Sequence, residues 1–180
     1  MPRTSRAFLT ALLLTAAPAA VSAQTAARAA RAADVSSVGA IIAAAYDVIS
    51  GDAGEARDWD RWHTLFAEGA TLSAVVRGPD GAPRRVVMTP GSYVERSGAA
   101  LERDGFHEVE IGRTAESFGL IAHAFSTYES RRRLSDPEPF QRGINSFQLM
   151  SDGSRWWIVS IFWQAESPDH PIPQKYIGNR

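Results

Sequence analysis

Four histidines stand at positions 63, 107, 123 and 170. None of the intervals is HxH or HExxH, the spacings that aim two imidazoles at one ion from a single strand or helix, so no metal site is expected. His63 and His107 are the candidate catalytic bases. His63 falls on the same face of a predicted short helix as Trp59, Trp62 and Phe66, and His107 alternates with Val109 and Ile111. A histidine base works best with a carboxylate orienter, and no such partner is identifiable for either from the sequence. The chain has no cysteine. That excludes disulfides, thiol nucleophiles, iron–sulfur clusters and thiolate zinc sites. GxSxG, GxxxxGK[ST] and GxGxxG are all absent, so neither a serine-hydrolase elbow, a nucleoside-triphosphate loop nor a dinucleotide fingerprint is present, and no cofactor is expected.

A second set of candidates comes from strand register. Centring the hairpin turn in 151–154 sets Asn145 opposite Ser160 and Phe147 opposite Ile158. Centring the preceding loop in 134–139 brings Tyr128 beside Asn145. Residues opposed across a pair of strands point the same way. One face then carries Ala122, Ala124, Ser126, Tyr128, Asn145, Phe147, Leu149, Trp156, Ile158, Ser160 and Phe162. Tyr128, Asn145 and Ser160 form a small polar cluster in an apolar wall with Phe147, the usual composition of a ligand pocket. The opposite face carries His123, Phe125, Thr127, Trp157, Val159, Ile161 and Trp163. A one-residue slip would exchange the two sets.

Helical spacing supplies the rest. Val38, Ile41, Ile42, Ala45 and Ile49 define one face of a first helix, with capping residues in 34–37 and a stop at Gly51. Tyr46, four residues after Ile42, borders that stripe and can aim its hydroxyl into a cavity while its ring packs. A short helix is predicted over 58–67, capped by Asp58. Its Trp59 and Trp62 are candidate walls of the pocket, although tryptophans at such spacing are more often core residues. Two β runs, 70–77 and 84–89, flank the turn cluster Gly-Pro-Asp-Gly-Ala-Pro. Thr89-Pro90 opens a helix that Asp104-Gly105 closes. Strands follow at 106–112, 120–132, 143–150 and 155–166. Glu129 and Arg142 are expected to pair across a hairpin. Helices with a hairpin first and a strand meander after them mean an α+β domain, with helices packed on one face of a curved antiparallel sheet.

The first 23 residues are expected to be a cleaved signal peptide: Arg3 and Arg6, an apolar run from Ala7 to Ala17, then Pro18 and the small-residue site Val21-Ser22-Ala23. The run is too short to span about 30 Å of hydrocarbon, so no membrane anchor remains after cleavage. Removing two arginines and no acids takes the net charge from −1 to −3. A nearly neutral chain lacks the field that nucleic-acid binding needs. The expected organisation is signal peptide 1–23, a mobile Ala/Arg-rich tail 24–33, one domain 34–166 and an irregular C-terminal tail 167–180, in a periplasmic or secreted protein.

Three stretches resemble the NTF2-like (SnoaL-like) superfamily: Asp58-Trp59-Asp60-Arg61-Trp62-His63-Thr64-Leu65-Phe66, Ala70-Thr71-Leu72, and Ser151-Asp152-Gly153-Ser154-Arg155-Trp156-Trp157-Ile158-Val159-Ser160. The resemblance covers about 34–166 and implies a conical fold with a pocket between helices and sheet. It also implies that the general base of the ketosteroid isomerases would fall at Ala74, which cannot take a proton, and that their oxyanion-hole aspartate falls at Asn145 in Ile144-Asn145-Ser146-Phe147. Isomerase chemistry of that kind is therefore not expected.

The leading expectation is an exported domain that binds a small, largely apolar molecule through Tyr46, Trp59, Trp62, Tyr128, Asn145, Phe147 and Ser160. The alternatives are a lyase- or isomerase-type enzyme with His63 or His107 as base, and a non-catalytic module whose pocket is filled by its own side chains. In the family the outer sheet face often forms a dimer interface, so Trp157 and Trp163 are expected to bury against a second copy; the alternative is cover by the C-terminal tail.

Overall fold

The computed structural model describes residues 29–178. The expected signal peptide and its cleavage site lie outside the described residues. Helix α1 is a single turn, Ala32–Val35, and α2 spans Val38–Ile49 with the Ser37 side chain accepting from Ala40 N. The tail expected through residue 33 is thus part of the fold from Ala32 onward, and Ala30 already packs on the core. On α2, Ile41, Ile42, Ala45, Tyr46 and Ile49 are buried as the spacing requires. Each fully buried isoleucine contributes about 1.5–3 kcal/mol.

Helix α3 is Trp59–His63, and Asp58 caps it by accepting from Arg61 N. It is shorter than the sequence suggests, because Phe66 and Ala67 already belong to β1, Phe66–Arg77. β1 turns into β2, Pro83–Met88. Helix α4, Pro90–Asp104, opens on a reciprocal pair of bonds between Thr89 and Ser92 and has Pro90 in its first turn, which satisfies donors that the helix start would otherwise leave bare. β3 runs His107–Phe118, longer than its alternation suggests, followed by β4 Ile121–Arg131, β5 Gln141–Ser151 and β6 Trp156–Ala165.

The six strands form one sheet in the order β2-β1-β6-β5-β4-β3, with the helices packed on one side. Four pairings are antiparallel. The β1–β6 pairing is parallel, so the sheet is mixed. The C-terminal segment does not simply wander over the surface. A 3-10 turn at Gln174–Tyr176 lies on the far side of the sheet, where Thr127 Oγ1 donates to Tyr176 O and Gly178 N donates to Ile111 O.

Register decides which side chains meet the helices. β4 pairs with β5 as Ser126↔Asn145 and Ala124↔Phe147, two residues from the expected alignment. An even shift preserves faces, so Ala122, Ala124, Ser126, Tyr128, Asn145, Phe147 and Leu149 are all buried as expected. The β5–β6 pair differs. Its loop is Asp152–Arg155, because the Asp152 carboxylate gathers the N–H groups of Ser154 and Arg155 and the indole N–H of Trp157. That gives Ser151↔Trp156 and Leu149↔Ile158. Val159 is then a bulge, after which Gln148 faces Ser160, Phe147 faces Ile161 and Asn145 faces Trp163. One extra residue reverses the second half of the strand. Ile158 remains inward, but Ile161 and Trp163 replace Ser160 and Phe162 on the helix side.

Candidate functional site

Between α2, α3, α4 and the concave face of the sheet lies a cavity of about 230 Å³. Its wall carries Tyr46 from α2, Trp62 from α3, Tyr93 from α4, Glu108 from β3, Tyr128 from β4, Asn145 and Phe147 from β5, and Ile161 and Trp163 from β6. Gln141, exposed at the start of β5, stands at the rim.

Glu108 is positioned by the junction of α2 with β3. Ser50, the C-cap of α2, donates to Tyr46 O at 2.7 Å and accepts from Glu108 N at 3.0 Å. The buried Arg57 guanidinium donates to Ile49 O, Gly51 O and Leu101 O, tying the C-terminal end of α2 to that of α4. The Glu108 carboxylate then accepts from Asn145 Nδ2 at Oε1 and from Ser130 Oγ at Oε2, both 3.1 Å. Among the described residues no cation pairs with it, and the lining contains no Lys, Arg or His. Burial pushes its carboxyl up to about 7, with the Asn145 and Ser130 donors offsetting part of the rise.

The hydrogen-bond directions follow from the proton count. Asn145 Nδ2 gives one proton to Glu108 and one to Tyr46 Oη, 3.1 Å away. Ser126 gives its only proton to Glu110 Oε1 at 2.6 Å, so the 2.7 Å contact between Tyr46 and Ser126 is donated by Tyr46. Glu110 is held in turn by a two-pronged contact from Arg113. Tyr46 is therefore committed to the protein network rather than free to donate to a ligand. Burial, and after it the Glu108 charge, raises the ionisation of Tyr46, Tyr93 and Tyr128 well above the usual tyrosine range.

The Tyr93 and Tyr128 hydroxyls are different. Both line the cavity, and neither has a hydrogen-bond partner among the described residues. No fully enclosed side-chain polar atom is left unbonded, so both hydroxyls remain open to the cavity. Gly143 makes room for Tyr128: a Cβ there would stand 2.5 Å from the phenol oxygen and 2.5 Å from Gln164 O. Trp62 stacks on Tyr93 at 5.3 Å, and Trp163 meets Tyr93 edge-on at 6.5 Å and 87°.

Of the expected site residues, Tyr46, Trp62, Tyr128, Asn145 and Phe147 come together here. Trp59 does not. Its ring packs on Gly98 and its indole N–H donates to Glu102, so it fastens α3 to α4. Ser160 is turned away by the Val159 bulge, and the same bulge brings Trp163 from the expected dimer face into the pocket wall. Neither candidate histidine reaches the cavity. His63 is exposed, and His107 is buried against Asp52, with Nε2 2.9 Å from Oδ1. Arg142 pairs with Glu166 rather than Glu129, which is taken by Arg131. Glu108 was missed because β3 alternates charged with apolar residues, a pattern that reads as charged side out. Its period-two repeat of Glu108 and Glu110 was the available signal.

This architecture recurs in known structures. The chain superposes on a candidate dehydratase of the NTF2-like family from Streptomyces avermitilis with a TM-score of 0.52 and 16% identity, over 74% of this chain and 96% of that one. The fold is NTF2-like. The same arrangement is found in the beta subunit of a candidate aromatic-ring-hydroxylating dioxygenase from Novosphingobium aromaticivorans, with a TM-score of 0.53 and 15% identity over 73% of this chain and 88% of that one. It is found again in the yeast UBP3-associated protein BRE5, at 0.51 and 15% over 72% and 93%. No family model and no curated protein matches the sequence. Proteins this diverse on one NTF2-like frame leave function to the residues of the cone.

Proposed function

We propose that the NTF2-like cone binds one small, largely apolar molecule whose polar end meets Glu108, Tyr93 and Tyr128. The observation that carries this reading is the pair of tyrosine hydroxyls that face the cavity without protein partners, Tyr128 being only 2% exposed. A hydroxyl that opens on the cavity without a protein partner is available to a ligand's polar end, and such a bond contributes about 0.5–1.5 kcal/mol. Size sets the scale. An apolar cavity of about 150 Å³ accepts benzene, so about 230 Å³ suits one substituted ring. An open cavity also argues against a module filled by its own side chains. Titration of tryptophan fluorescence with single-ring probes, neutral (benzyl alcohol, tert-butylbenzene) and charged (benzylamine, phenyltrimethylammonium), tests the reading, with Ala45→Phe, which fills the cavity from α2, as the control. Binding that is absent, or unchanged by Ala45→Phe, refutes it.

A lyase- or isomerase-type enzyme is the second reading, favoured by Glu108 itself. A carboxyl titrating near neutrality inside a pocket is suited to proton transfer, and it would take the place of the pocket histidine expected from sequence. We also propose export, with a mature chain beginning at Gln24. N-terminal sequencing of periplasmic or secreted protein tests it, and an intact Met1 chain in the cytosol overturns it. Association through the outer sheet face is proposed as well, now centred on the exposed Phe125, Val159 and Phe162 beside Trp157, with Trp163 removed from that surface.

A further inference from the structure

We propose that the ligand of the cone is a small organic cation, an amine or quaternary ammonium, held between the Glu108 carboxylate and the surrounding aromatic rings. The inference rests on the binding reading above and adds the charge of the ligand. Its first support is an imbalance of charge. Glu108 is the one acid in the lining, and no basic side chain among the described residues lines the cavity with it or pairs with it. The nearest basic group in its network, Arg113, is held by Glu110. A carboxylate offers about four lone-pair sites, and Asn145 and Ser130 supply one donor each. That leaves acceptor capacity on a carboxylate that lines the cavity.

The second support is the wall. Trp62 and Tyr93 lie nearly parallel, with an interplanar angle of 29°, and Trp163 stands almost perpendicular to Tyr93. These three rings pack on one another and line the cavity together, which gives it an electron-rich aromatic wall of the kind that attracts a desolvated ammonium. A metal ion is a poorer fit. No group of three or more His, Cys, Asp or Glu among the described residues could hold one, and aromatic rings cannot complete a coordination shell.

The groups that face Glu108 from the packed elements are Tyr46 of α2, Tyr93 of α4, Tyr128 of β4 and Asn145 of β5, with Glu110 two residues along β3. None is a cation, so a positively charged ligand would be the first counter-charge the carboxylate meets. Such a ligand binds the ionised form. With the carboxyl titrating at about 7, its apparent affinity should tighten about tenfold between pH 6 and pH 8. A neutral carbonyl compound that accepts a proton from Glu108 would show the opposite trend.

Isothermal titration of the native protein with two matched pairs tests the proposal: phenyltrimethylammonium against tert-butylbenzene, and benzylamine against benzyl alcohol. The expected result is that each cation binds about tenfold or more tightly than its neutral match at pH 8, that phenyltrimethylammonium gains with rising pH, and that Glu108→Gln removes the preference. The pH series on unaltered protein carries the test if that variant does not fold. Neutral compounds binding as well as or better than the cations, with affinity flat or falling as pH rises, would overturn the charge assignment and leave the binding reading standing. If none of the four binds, the binding reading falls with it.

Discussion

Replacing Glu108 by Gln should stabilise the protein at alkaline pH and leave it unchanged in acid. In the folded chain the carboxyl keeps its proton to about pH 7, and in the unfolded chain only to about 4.5. Between those values the folded state binds more proton than the unfolded state, so this group makes the protein less stable as pH rises, by about 1.4 kcal/mol per unit. The whole effect is present above pH 7 and amounts to about 3 kcal/mol. Below about 4.5 it vanishes, because Glu108 is neutral in both states. Glutamine mimics the protonated acid: its Oε1 can accept from Asn145, and Ser130 can turn to accept from Nε2. For a chain of this length the difference corresponds to about 6–12 °C in midpoint at pH 8. Calorimetry of the native protein and the variant at pH 4.5, 6 and 8 isolates the effect, since every other titration is common to both. A difference that does not change with pH, or a variant less stable than the native protein at pH 8, would refute the placement of an uncompensated carboxyl in the cone.

Three other outcomes follow from the packing. Arg61→Ala should cost about 3–5 kcal/mol in urea unfolding, because it leaves the buried Asp34 without the guanidinium that now contacts it at 2.7 and 2.9 Å. Arg61 holds the Asp34 carboxyl below its usual range, so the native protein should lose this contribution as pH falls into the acid range, and the variant should not. Gly143→Ala should destabilise by about 1–3 kcal/mol or more, and adding Tyr128→Phe should recover only part of it, since Gln164 O blocks the same space. Phe162→Glu should shift a dimer toward monomer in analytical ultracentrifugation while Trp163→Glu damages the fold instead; a native protein that is monomeric at micromolar concentration would refute association through this face.

The architecture was legible because its signals are local. Ser37, Asp58 and the Thr89-Pro90 pair cap helices through bonds reaching no more than three residues. The stripe on α2 follows from helical spacing alone. The inward faces of β4 and β5 were legible too, since an alignment error of two residues leaves them unchanged. The cavity lining was legible as far as those elements carry it, which is why Tyr46, Trp62, Tyr128, Asn145 and Phe147 share one cavity as their spacing and register place them.

What the tertiary structure decided depends on contacts between segments far apart in sequence. The bulge at Val159 has no signature in its own residues, yet it exchanges Ser160 for Trp163 at the cavity. Trp59 and Trp62 are alike in type and close in sequence, and only the position of α4 sends one to Glu102 and Gly98 and the other to the pocket. The acid in the cone is the clearest case. A glutamate on an alternating strand is ordinarily solvated, and burying it without a counter-ion opposes folding. Glu108 is inward because Asn145 and Ser130, 37 and 22 residues away, supply its donors. Sequence periodicity reports what each segment would bury alone, whereas the chemistry of this cone is set by what the assembled segments can satisfy together.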